Sequence, residues 1–258
     1  MLRYILILCI AFSLCTCAGI DISKGSSSPE ASKEANYWIT LPKSNELVFI
    51  GVSGPQSKRD AEITIAREDA ARKASMYHDL IASYVSVQSI GSGFLDYFAD
   101  SDIQLRYDNQ IEKYIEKLNY DPERDVVTMD GAIFIRFTYP AAFPGNIAYS
   151  SGRNPNGSPE WTNRPPSEIG GFLTGVGFAR KQMRKRDTIA KSSEAAAAAL
   201  VSRINSSVST KEVSARGENA TVVQQQSIGR LSNFLILEMW MDPETEAVWT
   251  LAIARVSG

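Results

Sequence analysis

Cysteine and histidine, the residues most used as nucleophile and general base, are scarce in this chain, and the cysteines crowd one end. Cys9, Cys15 and Cys17 lie within the first 17 residues, and His78 is the one histidine. Those counts exclude a zinc site built on several His or Cys ligands, a Cys-rich cluster and a disulfide in the folded part. What is left for cysteine is a single modification. Leu14-Cys15-Thr16-Cys17 sets an aliphatic residue three positions before Cys17 and a small residue directly before it. That is the pattern of a bacterial lipobox, in which the thiol takes a lipid as a thioether before the preceding segment is cleaved. Cys15 as acceptor would leave Leu14 directly before it, a poorer fit, so Cys17 is the expected lipidation site.

The remaining candidates have structural readings that outweigh their chemical ones. His78 could serve as a general base, but no cysteine remains as its nucleophile and no serine stands in Gly-x-Ser-x-Gly. Ile90-Gly91-Ser92-Gly93 comes nearest and reads as a loop. Gly175-Val176-Gly177 lacks the third glycine of a dinucleotide fingerprint, and no Gly-Lys-Ser/Thr follows it. Gly51, Gly175 and Gly177 therefore read as glycines that end a strand and admit a helix. Asp121, Glu123, Asp242 and Glu244 read as turn residues; a glycosidase pair would need two of them facing across a cleft, which only the fold can show. No catalytic, cofactor-binding or metal-binding residue is expected, and no cofactor.

Two stretches could make contacts instead. Phe94, Leu95, Tyr97 and Phe98 put four large apolar side chains into a loop and are the candidate partner contacts. The basic run Lys181, Arg184, Lys185 and Arg186 is either a solvated loop or a contact for anionic headgroups or cell-wall polymers. Trp38 and Trp161 read as packing residues at the entry to their units.

The segments around these residues set their context. Residues 1–16 read as a signal peptide: Met1 to Arg3 carries one positive charge, and Tyr4 to Leu14 is apolar but far short of the ~20 residues a spanning helix needs. Residues 17–36 read as the lipidated cysteine and a flexible tether, with Gly25-Ser26-Ser27-Ser28-Pro29 at its centre. The 258-residue chain is 44% hydrophobic and 22% charged, a globular composition. With 27 basic and 29 acidic residues its net charge is −2, which argues against nucleic acid as a partner.

The rest of the chain reads as one unit written twice. Trp38 and Pro42 match Trp161 and Pro165. Phe49-Ile50-Gly51-Val52-Ser53 matches Leu173-Thr174-Gly175-Val176-Gly177, Ile65-Ala66-Arg67 matches Ile189-Ala190-Lys191, and Asp121-Pro122-Glu123 matches Asp242-Pro243-Glu244. The units are expected at 37–140 and 161–258, joined by a Pro/Gly/Asn/Ser-rich linker at 141–160 in which no packed element is expected. Leu47 to Ser53 and Phe172 to Phe178 read as strands. Asp60 to Val87 and Arg186 to Val208 read as helices, the first with an inner stripe of Ala66, Ala70, Ala74, Tyr77, Ile81 and Tyr84. A second helix is expected at Asp102 to Leu118, with a shorter counterpart at Thr221 to Ile228. A hairpin closes each unit, Leu231 to Met241 and Val248 to Val256 in the second. The expected fold class is α+β: two similar tandem domains, each a small antiparallel sheet in strand-helix-helix-hairpin order with helices on one face.

At the Gly-Val turns, the Ala-rich helices and the closing hairpins, the sequence resembles the Lpp-twenty family of bacterial envelope lipoproteins. Flagellar lipoproteins of the FlgP and FlgT type share that domain. The resemblance rests on Phe49 to Ser53 with Ile65 to Arg72, and on Leu173 to Gly177 with Ile189 to Lys191. Ser192, Ser193 and Glu194 depart from it where the first copy has Glu68, Asp69 and Ala70. The resemblance implies surface or periplasmic scaffolding and brings no catalytic residues.

Together these features lead to an expectation of a non-enzymatic, lipid-anchored envelope protein, in the outer membrane and facing the periplasm, acting as a binding or assembly component. Its expected partners are the membrane, through the lipid, and an envelope protein or further copies of itself. A carrier of a hydrophobic ligand is the alternative, marked by an enclosed apolar cavity above about 300 Å³. An envelope enzyme is the third reading, marked by carboxylates or His78 converging on a cleft.

Overall fold

Alanine sets the architecture by letting helices lie unusually close to strands. The computed structural model describes residues 37–39, 46–91, 99–129, 131–143, 147, 149–204, 206–215 and 218–256. In chain order the first half comprises β1 (Tyr37–Ile39), β2 (Glu46–Ser53), α1 (Arg59–His78), β3 (Leu80–Gly91), β4 (Ala99–Arg106), the single turn α2 (Glu112–Ile115), β5 (Val126–Met129) and β6 (Ala132–Ala142). A 3-10 turn (Glu160–Thr162) leads to β7 (Glu168–Ile169), β8 (Phe172–Ala179), α3 (Lys185–Ile204), β9 (Ser206–Ala215), β10 (Glu218–Met241) and β11 (Val248–Val256). The protein is thus mixed α and β, with antiparallel sheets.

In α1 the buried stripe is Ala66, Ala70, Ala74 and Tyr77, as the spacing predicts, but the helix ends at His78 rather than running on to Val87. Asp79 takes an extended backbone, and from Leu80 the period changes from helical to two, with Tyr84-Val85-Ser86-Val87 carrying the β-branched residues a strand favours. α3 likewise stops at Ile204, and β9 occupies the stretch expected as its end. The helix expected over Asp102 to Leu118 is also replaced. Ile103 and Leu105 alternate along β4, which pairs with β3 (Tyr84 opposite Ile103), and only Glu112–Ile115 is helical. Thr221 to Ile228 belongs to β10, paired with β3 throughout and with β9 as far as Ser227. Each half therefore contributes one 20-residue helix.

Two sheets result. The smaller runs β2-β6-β5. The larger runs β4-β3-β10-β11-β8-β7, with β1 and β9 also on β10. β10 is the spine: β3 and β9 flank its first half, and β1 and β11 its second. Where it passes from one set to the other, the register with β11 shifts between Ser232 and Leu235 and Asn233 adopts φ 55°. That is a bulge, which bends the strand and strengthens its twist. The hairpin β3-β4 pairs with β10 and not with the first half's own sheet, so strands of both halves share the larger sheet.

The core has the same mixed ancestry. One buried cluster joins Ala66, Ala70, Phe49 and Ile135 to Phe172, Leu237, Leu251 and Ile253. The other joins Ile50, Val52 and Phe134 to Ala196, Leu200, Val201 and Ala252. The stretch expected as a linker is not free of packing. Phe143 is buried, Tyr149 packs on the first cluster, and Asn154 closes a turn by donating to Ser158 Oγ at 2.9 Å and the Pro159 carbonyl at 3.0 Å.

A few positions of the two halves make similar contacts. α1 and α3 begin 126 residues apart, two more than the Ile65/Ile189 match. At this spacing Gly51 answers Gly177, and a Cβ at either would overlap a helix carbonyl oxygen, Ala66 or Ser192. Ahead of each helix a glutamine backbone N–H donates to a first-turn side chain: Gln56 to Glu62 Oε1 at 3.1 Å, Gln182 to Thr188 Oγ1 at 2.9 Å. In each closing turn an aspartate accepts from the backbone two residues on, Glu123 to Asp121 at 3.0 Å and Glu244 to Asp242 at 2.8 Å.

Candidate functional site

His78 is exposed at the end of α1 and surrounded by aromatic rings. Its imidazole stacks on Tyr114 at 5.5 Å and meets Tyr77 and Tyr139 edge-on at 5.4 and 5.9 Å. Lys113 lies over the Tyr114 ring and Lys117 over that of Tyr139. Partial burial, then the charges of Lys117 and Lys113, hold its pKa below the ordinary value, so the ring packs as a neutral plate. The adjacent Asp79 is engaged elsewhere, in a two-point bond to Arg230 at 2.7 and 2.8 Å. A phenylalanine here can make the same stacking contacts. His78→Phe is expected to keep stability within about 1 kcal/mol, as volume-conserving swaps do, measured by thermal melting; a larger loss would point to a bond made by the ring nitrogens.

The other sequence candidates separate in space. Gly51, Gly175 and Gly177 press on helix backbones and not on a ligand loop. Asp121 and Asp242 cap their own turns. Of the basic run, Lys181 pairs with Glu246, while Arg186 turns toward α1. Trp161 is buried and its Nε1–H donates to Glu238 Oε2 at 2.6 Å. Cys17, and Phe94, Leu95, Tyr97 and Phe98 in the connection between β3 and β4, lie outside the described residues.

The structure does bring together residues that the sequence does not place in one site. α1 and α3 border a cleft of about 270 Å³ floored by Val52, Leu105, Phe234 and Ile236. Met76 and Tyr107 line it as well. Around them stand Asp69, Arg72 and Lys73 from α1 and Arg186 and Glu194 from α3. Asp69 and Lys73 satisfy each other: Lys73 Nζ donates to Asp69 Oδ2 at 2.8 Å and to the Ile50 carbonyl at 2.6 Å, and Asp69 also accepts from the Val52 N–H at 2.9 Å. Arg72 reaches Glu68 at 3.7 Å, across a partly exposed surface. Burial raises the Glu194 pKa, with Lys191 acting in the opposite sense.

Comparison with known families, with curated proteins and with solved structures gives no match. The cleft is therefore read from its own chemistry. It has an apolar floor, one self-neutralised ion pair, two guanidinium groups on opposing helices and one half-buried carboxyl. Among the described residues no three His, Cys, Asp or Glu side chains gather as a metal group, and no helix is long and apolar enough to cross a membrane. In the sequence, Glu68/Arg72 and Asp69/Lys73 show only as i,i+4 pairs on a polar face, and Arg186 as part of a basic run. Their convergence depends on where the sheets place α1 and α3, which helical spacing does not encode.

Proposed function

We propose that the chain is a lipid-anchored protein of the bacterial envelope, with Cys17 as the acylated residue and residues 1–16 as its signal. It is built from two tandem copies of one unit, at 37–140 and 161–258, related to the Lpp-twenty family, and acts as a non-enzymatic binding or assembly component. The observation that carries this reading is that the histidine, turn aspartates and glycines that the sequence offers as candidates for chemistry are taken up by structural work. His78 is a stacking plate, the paired aspartates cap turns, and the glycines make room for helices. The tandem origin is supported by atom-level correspondence: Gly51 with Gly177, Gln56 with Gln182, Asp121 with Asp242.

Function in this reading is geometric. The lipid fixes the protein to one leaflet of the outer membrane on its periplasmic side, the tether of residues 17–36 sets its reach, and the body presents surfaces to an envelope protein or to another copy. Phe94, Leu95, Tyr97 and Phe98 are the proposed contacts. Three acyl chains, at about 0.8 kcal/mol per buried methylene, make such an attachment effectively permanent where one chain is marginal. In cells fed a labelled fatty acid, the wild-type protein is expected to carry label and fractionate with membranes, while Cys17→Ala carries none. Label retained on Cys17→Ala would remove Cys17 from the role. Cross-linking in intact cells is expected to capture a partner, with capture reduced at least fivefold when Phe94 and Phe98 are both replaced by serine.

A further inference from the structure

We propose that the cleft between α1 and α3 binds an anionic amphiphile, an alkyl chain of roughly eight to ten carbons ending in a carboxylate or phosphate. Size, lining and charge agree on this class. At about 30 Å³ for a group the size of water, the 270 Å³ of the cleft holds roughly nine methylene-sized groups. Its floor is apolar and unbranched ligands can lie along it, against Leu105, Phe234 and Ile236. The cleft lies just under the usual size of a small-molecule site, about 300 Å³, and shares its form, an apolar floor with a few polar groups at the border.

The charge balance selects the head group. Asp69 and Lys73 cancel within the wall of the cleft. Among the residues that line the cleft, that leaves Arg72 and Arg186 against Glu194, with Glu68 beyond the lining at 3.7 Å from Arg72. Arg186 makes no hydrogen bond or ion pair among the described residues, and Arg72 has only its long contact with Glu68. Two guanidinium groups from opposing helices present planar forks of donors, the arrangement that recognises carboxylate and phosphate oxygens. The raised pKa of Glu194 weakens its repulsion of an incoming anion. A cation would meet the two arginines, and a sugar would leave the apolar floor without a partner. The site adds a ligand to the scaffold role and does not depend on Cys17, so either can fail alone.

The test is calorimetric titration of the full chain with decanoate, decyl phosphate, 1-decanol and inorganic phosphate. Ala190, exposed at the cleft wall, is replaced by tryptophan in a blocked reference that subtracts nonspecific partition. Decanoate and decyl phosphate are expected to bind saturably at one per chain, and whichever binds tighter names the head group. 1-Decanol is expected to bind at least tenfold more weakly, and inorganic phosphate not at all. Ala190→Trp removes the binding, and Arg72→Gln with Arg186→Gln weakens decanoate at least tenfold while the melting temperature holds. Equal affinity for decanol and decanoate, binding of phosphate alone, unchanged decanoate affinity in the double arginine variant, or no saturable binding would each overturn the proposal. If Ala190→Trp does not fold, the arginine variant and the ligand series decide.

Discussion

Alanine at Gly177 is expected to destabilise the protein by roughly 3 kcal/mol or more, while alanine at Gly54 leaves it as stable or slightly more stable. A methyl group at Gly177 would overlap the Ser192 carbonyl oxygen and the Ala196 backbone nitrogen. Both are backbone atoms in the middle of α3, which cannot rotate aside as a long side chain could. The helix must lift off the sheet, opening contacts of Ala196, Ala197 and Leu200 with the core. Gly51 faces the Ala66 carbonyl in the same way and should behave alike. Gly54 has open space where its Cβ would stand, so alanine there acts chiefly by restricting the unfolded chain, a gain of about 0.4–1 kcal/mol. Urea melts separate the cases: the midpoint falls for Gly177→Ala and Gly51→Ala with an unchanged slope. A Gly177→Ala protein as stable as wild type would mean that α3 does not lie this close to β8.

These glycines show what one-dimensional pattern could and could not convey. The residue types were informative. A glycine in a β-branched run, followed by a helix whose inner stripe is alanine, states a close approach of strand and helix, and Gly51 with Ala66 and Ala70 shows it. The closing hairpin was equally readable, because Asp242-Pro243-Glu244 interrupts two alternating runs and Met241 pairs with Val248 across it. The helix ends were not. Ile81 and Tyr84 continue the 3.6-residue stripe of α1 as well as they alternate in β3, and a short apolar run satisfies both periods. Strand pairing decides between them, with Ile81 opposite Arg230 and Arg106, and those partners are distant in sequence. The cleft fails to show for a related reason. Arg72 and Arg186 belong to different halves and line one cleft only because strands of both halves share a sheet.

Glu238 was hidden by its surroundings, and it carries the largest pH effect expected among the described residues. It sits between Leu237 and Met239 in a stretch of β10 where both faces are covered, so alternation does not mark it as unusual. It is 1% exposed, its Oε2 accepts the Trp161 indole N–H at 2.6 Å, and its Oε1 has no partner. Burial pushes its pKa up to about 8. An acid whose pKa is raised by folding stabilises least where it is ionised. Below the ordinary value of 4.5 both states hold the proton and folding bears no penalty. As pH rises from there toward 8, the unfolded chain releases the proton while the folded one keeps it, so stability falls. At 1.36 kcal/mol per unit, the loss between pH 5 and pH 8 from this group alone is roughly 3 kcal/mol. Glu238→Gln keeps an amide oxygen for the Trp161 N–H and removes the titration. Urea melts of both proteins at pH 5 and pH 8 are expected to show similar stability at the lower pH. At the higher pH the variant should be the more stable by roughly that 3 kcal/mol. Every other titrating group is common to the two proteins, so the difference isolates this carboxyl. Parallel pH profiles would mean that water reaches Glu238 in solution. In that case the seal made by Trp161 over the core is open.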